Sequence, residues 1–147
     1  MFNDSRLGIY KYIENLLIYD VTKNVYFMNE PQELSASDAK DGFIVINIGN
    51  LNDAGEFDGE LYARARVYVR AYVPLKARGK MNEARYSHFE NSISDVIRQA
   101  SEDSSGEYWI QTESLLSTDL NEEYDANNSY SVYVKSFIIM VNNNNSN

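Results

Sequence analysis

The chemistry open to a chain is set first by its nucleophiles, metal ligands and acid–base groups, and this chain is poor in them. Its 147 residues hold a single histidine, His88, and no cysteine. Thiol nucleophiles, thiolate zinc sites and disulfides are therefore excluded. Ser/His/Asp catalysis would have to run through His88. That residue lies one position before Phe89, on the shoulder of an apolar stripe, and the chain has no Gly-Xaa-Ser-Xaa-Gly elbow; it reads as a packing histidine. Carboxylates are abundant, 22 in all, but neighbours such as Glu122/Glu123 and Glu102/Asp103 are expected in any acidic chain. They carry no glycosidase signature. Residues 50–61 begin like a calcium loop, with Asn50, Asn52 and Gly55 in place. Ala54 and Leu61 then stand where that loop needs an oxygen ligand and a bidentate Glu. Gly79-Lys80 is not part of a phosphate-cradling glycine loop. The residue types point to no catalytic residues, no metal and no cofactor.

What the chain does hold is tyrosine, twelve of them, and charge laid out in blocks. The net charge of −9 divides into ten acidic and four basic side chains over residues 1–59, four and eight over 60–98, and eight and one over 99–147. The segment nets are thus −6, +4 and −7. Either the basic segment sits beside acidic strands of its own molecule, or opposite faces meet between identical subunits, where complementary potentials fix the register. A dominant basic footprint for nucleic acid is missing, though the loop carrying Lys76, Arg78 and Lys80 can touch a phosphate. Hydrophobic residues at 44% and charged residues at 24% are ordinary for a globular domain. No apolar run reaches the roughly 18 residues of a membrane-spanning helix. Asp4, Lys11 and Glu14 interrupt the first twenty residues, unlike a signal peptide. The composition reads as a soluble, intracellularly made, non-catalytic protein.

The clearest element is residues 60–73. Leu61, Ala63, Ala65, Val67, Val69, Ala71 and Val73 alternate with Tyr62, Arg64, Arg66, Tyr68, Arg70 and Tyr72. A strict period of two predicts a long strand with one apolar face and one Tyr/Arg face. Tyr and Arg are enriched where subunits meet and Lys is depleted there, so those six residues are the candidate subunit interface. A half-solvated sheet face with cross-strand pairs is the plainer alternative. Trp109, between Tyr108 and Ile110, reads as a strand anchor in the core.

The remaining elements must position that strand. Asn3, Asp4 or Ser5 can cap a first helix, and Ile9, Tyr12, Ile13, Leu16 and Leu17 give it one apolar stripe to about Tyr19. Residues 22–28 and 42–49 read as strands, with a polar loop between them. Residues 50–59 are turn-forming throughout. Met81, Ala84, Phe89, Ile93, Val96, Ile97 and Ala100 mark a second helix over 81–99. Two more strands follow at 107–116 and 129–141, joined by the acidic segment 117–128. Residues 1–141 form a single domain, and the Asn-rich 142–147 is expected to be a disordered tail. The order α-β-β-β-α-β-β predicts an α+β domain in two layers, an antiparallel sheet packed with two helices.

That order resembles the phage tail terminator and head–tail connector family, through the capped helix 5–19, the long strand 60–73 before a basic loop, the helix 81–99 and the closing strand 129–141. The resemblance implies a tail-terminator-like, non-enzymatic virion protein, assembled in the host cytoplasm, whose sheet packs sideways against neighbouring copies. Homo-oligomeric rings of about six or twelve subunits follow from a heterologous contact whose rotation closes. Partners would be other phage neck, portal or tail proteins, with DNA passing through the ring without specific contact and no membrane involved. Two other readings stay open: a small dimeric α+β domain holding an apolar or aromatic ligand between helix and sheet, and a hydrolase or transferase working through carboxylates.

Overall fold

The period-two pattern of residues 60–73 organises the molecule. A computed structural model describes residues 6–29, 31, 35, 40–57, 60–76, 80–102, 107–111, 119–125 and 130–142. Among these the elements run α1 (Arg6–Asp20), β1 (Val25–Phe27), β2 (Phe43–Ile48), β3 (Asn52–Phe57), β4 (Glu60–Pro74), α2 (Glu83–Ser101), β5 (Tyr108–Ile110), β6 (Asp119–Asp125) and β7 (Tyr130–Asn142). The protein is an α+β domain, with two helices and a sheet in the predicted order.

The two long strands are the spine. β4 and β7 pair antiparallel from Tyr62 opposite Asn142 to Pro74 opposite Tyr130. On its other edge β4 holds β2 along its C-terminal half and β3 along its N-terminal half. β7 likewise holds β6 along its first half and β5 along its second. The main path is β1-β2-β4-β7-β5. Because β4 and β5 are both antiparallel to β7, they run parallel to each other with β7 inserted between them. Helix α2 is the crossover that joins them, a split β-α-β unit.

Three features depart from the sequence-based expectation. The sheet is mixed and not wholly antiparallel, because β1 runs parallel to β2; residues 28–42 give the connection the length of roughly a dozen or more that a parallel pair needs. Residues 50–59 and 117–128, expected as turn-forming and connecting, contribute β3 and β6. Their composition is poor for strands, but each forms a hairpin with a long strand, and pairing overrides local preference. In β3 the register shifts between Asp53 and Gly55, where Gly55 adopts φ +102°, the conformation a bulge asks of glycine. Finally, β7 runs one residue further than expected: Asn142 pairs with Tyr62 and donates its N–H to the Glu107 carbonyl at 3.1 Å. Residues 143–147 lie outside the described residues, as do Asn3, Asp4 and Ser5, the expected caps of α1.

Both helices pack on one face of the sheet. Ala65, Val67, Val69, Ala71 and Val73 of β4 are buried against them as the alternation predicts, and Ala63 of the same row is buried as well, while the Leu61 side chain lies outside those described. α2 contributes Phe89, Ile93 and Ile97, each fully buried, worth about 1.5–3 kcal/mol per side chain in removed apolar surface. The helix is capped by Asn82, whose side chain accepts from the Arg85 N–H at 3.2 Å. It therefore begins two residues later than the stripe suggests, and Tyr86, not Ala84, is the buried residue of its first turns.

α1 buries Ile9, Ile13 and Leu17 as expected and adds Tyr10. It touches both ends of the strand order, β1 through Tyr10 on Phe27 (ring centres 4.8 Å apart) and β5 through Tyr12 stacked on Tyr108 (4.8 Å). The Tyr10 hydroxyl has the Glu14 carboxylate at 2.7 Å and the Val25 carbonyl at 3.2 Å as acceptors. Burial first, then the hydrogen bond to Glu14 and its charge, hold the phenol well above the usual tyrosine range. The folded chain thus keeps this proton more tightly than the unfolded chain does. Its contribution is intact below about pH 10 and is lost as the pH rises past that value. Tyr10→Phe should make the alkaline decline in stability shallower, as measured by urea unfolding between about pH 9 and pH 11; an unchanged slope would contradict the assignment.

Candidate functional site

The even-numbered row of β4, Tyr62, Arg64, Arg66, Tyr68, Arg70 and Tyr72, lies on the face away from both helices. Arg64 is exposed and the other five are half-buried. The register fixes what stands beside each. Tyr72 lies between Phe43 and Val132, Arg70 between Val45 and Val134, and Tyr68 between Asn47 and Ser136. Arg66 is opposite Ile138, and Arg64 lies between Asn52 and Met140. Val45, Val132, Val134 and Met140 are buried although they sit on the side away from the helices. That is expected where long side chains with apolar stems rise on either side of small ones.

The face has two ends of different character. At the C-terminal end of β4, Phe43 stacks on Tyr72 with ring centres 4.6 Å apart and planes 9° from parallel. Tyr130 meets both of them edge-on, and Tyr26 meets Phe43 edge-on. This is a small second core, Phe43, Val45 and Tyr130 with Tyr26 and Tyr72 packed on it. At the other end the arginines are closer to solvent. Arg66 Nη1 donates to Ser136 Oγ at 2.9 Å, and the Arg70 guanidinium lies 6.0 Å from the centre of the Tyr68 ring.

Trp109 corrects an expectation. It is not a core anchor: it is 41% exposed, and its place opposite Met140 puts it on this same face, one strand from Arg64. Its neighbour Ile110 fills the core instead. Of the strand expected over 107–116, β5 takes Tyr108–Ile110, with Glu107 and Gln111 outside it and 112–116 outside the described residues; three residues contain too few alternations to say which side faces in. Phe43, Val45, Tyr26 and Tyr130 also belong to this face. The signal for them was absent from any one segment, because a continuous apolar run such as 43–46 does not reveal which side meets the helices.

The basic loop after β4 is closed by the Lys76 N–H donating to the Lys80 carbonyl at 2.7 Å. Both lysines are exposed. Arg78 lies outside the described residues, as does Gly79.

The remaining sequence candidates are placed as follows. His88 is half-buried, with Nε2 3.4 Å from the Val21 carbonyl and Nδ1 3.4 Å from Ser92 Oγ, and its ring meets Phe89 edge-on. These partners tie α2 to the end of α1 and include no carboxylate that could orient a catalytic base. His88→Gln should lower stability by less than about 1 kcal/mol, read by thermal unfolding; a loss of several kcal/mol would contradict the packing role. Within the segment 50–61, Asn52–Phe57 pair with β4 as β3, Glu60 and Leu61 belong to β4, and Asn50 Oδ1 accepts from Arg6. Among the described residues no three His, Asp or Glu side chains gather as a metal site, and no helix is long and apolar enough to cross a membrane.

A face that combines a dense Tyr cluster, three arginines and an exposed Trp over an apolar floor can recognise a surface through packing and charged hydrogen bonds. No protein-family model matches the chain, and no curated protein matches it.

Proposed function

We propose that this chain is a non-enzymatic structural subunit of a tailed-phage virion. In this reading, copies assemble through the Tyr/Arg face of the sheet into a ring at the neck or tail, of the tail terminator or connector type, through which DNA passes. The observation that carries the reading is the two-sidedness of β4. One row is sealed under both helices, and the other presents Tyr62, Arg64, Arg66, Tyr68, Arg70 and Tyr72 away from them. The element order and the pairing of long β4 with long β7 support it, since a stiff central pair holds that face flat against a neighbour. The charge blocks support it too, because a basic face on a chain of net charge −9 has a complement on every other copy. The loop of Lys76, Arg78 and Lys80 would contact a neighbouring virion protein or a phosphate. Negative-stain imaging of the purified protein, alone and with adjacent structural proteins of the same particle, tests the proposal. Discrete annular particles are expected; the absence of rings under both conditions would overturn it.

A further inference from the structure

Among the described residues Met28 is the one non-glycine residue in the left-handed region, at φ +69°. Across it the Asn29 N–H donates to the Phe27 carbonyl at 2.8 Å, which closes the rare, strained form of the γ-turn. Such strain persists where the surroundings over-determine it. Three contacts do so here: the Met28 N–H donates to the Ile46 carbonyl at 2.8 Å, the Met28 carbonyl accepts from Asn47 Nδ2 at 2.8 Å, and Met28 Sδ accepts from the Ile48 N–H at 3.3 Å.

The sulfur contact completes the parallel ladder. Alternate N–H groups of β2 point toward β1, and the Ile44 N–H donates to the Asn24 carbonyl at 2.8 Å. The Ile48 N–H is on that same side, at the end of β2. Had β1 run on as a strand, the Met28 carbonyl would meet it. Instead the chain turns, that carbonyl takes the Asn47 amide, and the sulfur takes the donor that the backbone left. Ile48 is 2% exposed, so without the sulfur its N–H would be buried and unpaired, which native proteins avoid.

We propose that Met28 is an oxidation site whose sulfur latches the end of the β1–β2 pair. Met28 and Met81 are half-buried while Met140 is 4% exposed, and susceptibility to oxidants follows exposure. In the step, a sulfur lone pair attacks one oxygen of hydrogen peroxide. The S–O bond forms as the O–O bond breaks, and the second oxygen leaves as water, taking up the proton of the first. The sulfur is oxidised by two electrons and the peroxide reduced by two. The sulfoxide sulfur carries partial positive charge and no longer accepts the Ile48 N–H. Its oxygen does not fit between the sulfur and a nitrogen 3.3 Å away, so the side chain must swing aside. With one of its three contacts gone, the strained turn relaxes.

The effect reaches the Tyr/Arg face. Asn47 stands opposite Tyr68, and its amide is held by the Met28 carbonyl. Relaxing the turn releases that amide beside the candidate interface. Weaker association of oxidised copies rests on the assembly reading above; the latch itself does not.

The test treats the full-length protein with hydrogen peroxide. Peptide mass mapping locates the added oxygen, and hydrogen exchange followed by NMR reads the Ile48 amide. Met28 should gain one oxygen at a peroxide level that leaves Met140 unmodified, and the Ile48 amide should then exchange about tenfold faster. A methionine sulfoxide reductase should restore the slow rate. Met28→Leu should exchange fast from the start and show no further change with peroxide; if that variant fails to fold, the wild-type comparison stands by itself. Where wild type assembles, sedimentation should show the dissociation constant of the oxidised protein raised about tenfold. Met28 left unmodified while Met81 is oxidised, or an Ile48 amide indifferent to oxidation of Met28, would overturn the latch. Fast Ile48 exchange with unaltered assembly would overturn its link to the interface. A wild type that never assembles would refute the assembly reading and leave the latch to be decided by exchange.

Discussion

Arg64→Glu, Arg66→Glu and Arg70→Glu introduced together should abolish assembly and leave a folded monomer. None of the three belongs to the core between sheet and helices: Arg64 is exposed, and Arg66 and Arg70 are half-buried on the opposite face. The cost within the monomer includes the Arg66–Ser136 hydrogen bond, about 1 kcal/mol, and the contact of Arg70 with the Tyr68 ring, about 0.5–1 kcal/mol. Against a stability of about 5–15 kcal/mol that loss is tolerable. At the interface the change is far larger. Three positive groups become negative, the net charge moves from −9 to −15, and each contact that met a complementary surface now meets a like charge. Like-charge juxtaposition at an interface costs several kcal/mol, so the dissociation constant should rise by three or more orders of magnitude, on the order of 4 kcal/mol. Sedimentation velocity reads the loss of large species, and circular dichroism with thermal melting reads the retained fold. Unaltered assembly by the triple variant would remove this face from the interface.

Gly42→Ala carries the second large effect, on stability. Gly42 sits at φ +90°, where a side chain is strained in any surroundings. A β-carbon there would lie 2.4 Å from the Tyr72 carbonyl oxygen, 3.1 Å from Pro74 Cδ and 3.2 Å from Phe89 Cε2. The first of these is backbone and cannot rotate away, so β2 would have to move off β4. The Gly42 carbonyl also accepts from Asn24 Nδ2 at 3.1 Å, and the Ile44 N–H donates to the Asn24 carbonyl at 2.8 Å. Displacing this junction disturbs the start of the parallel β1–β2 pair as well. The strain and the clash together should cost about 3–4 kcal/mol, measured by urea unfolding at neutral pH. Because Phe43 follows directly and stacks on Tyr72, the variant should also loosen the aromatic end of the candidate interface. A loss below about 1 kcal/mol would show that the junction relaxes freely, contrary to this account.

Legibility in the sequence followed the length of each pattern. The alternation of residues 60–73 runs long enough to fix both the strand and its two faces, and the helix-facing row from Ala63 to Val73 is buried throughout. The spacing of Phe89, Ile93 and Ile97 similarly fixed one side of α2. Short or compositionally weak segments were not readable in this way. β3, with the sequence NDAGEF, and β6, with DLNEEYD, are strands because long partners pair with them, information that lies elsewhere in the chain. Trp109 faces away from the core, opposite to the side its apolar neighbours suggest, because three residues of β5 carry too little alternation to set the phase. Tyr10 lies outside the helical stripe, and its burial depends on Phe27 of β1, a contact no periodicity in the helix reveals. That the six β4 residues share one face follows from their alternation; Phe43, Val45, Tyr26, Tyr130 and Trp109 join that face only through the register of other strands.

The central claim is that copies of this chain associate through a built surface, and native mass spectrometry of the wild-type protein over a range of concentrations tests it most directly. The account predicts a discrete species of many subunits, about six or twelve for a closed ring, that dissociates as salt is raised because the contact is charged. A chain that remains monomeric up to its solubility limit, alone and with its neighbouring structural proteins, would contradict it.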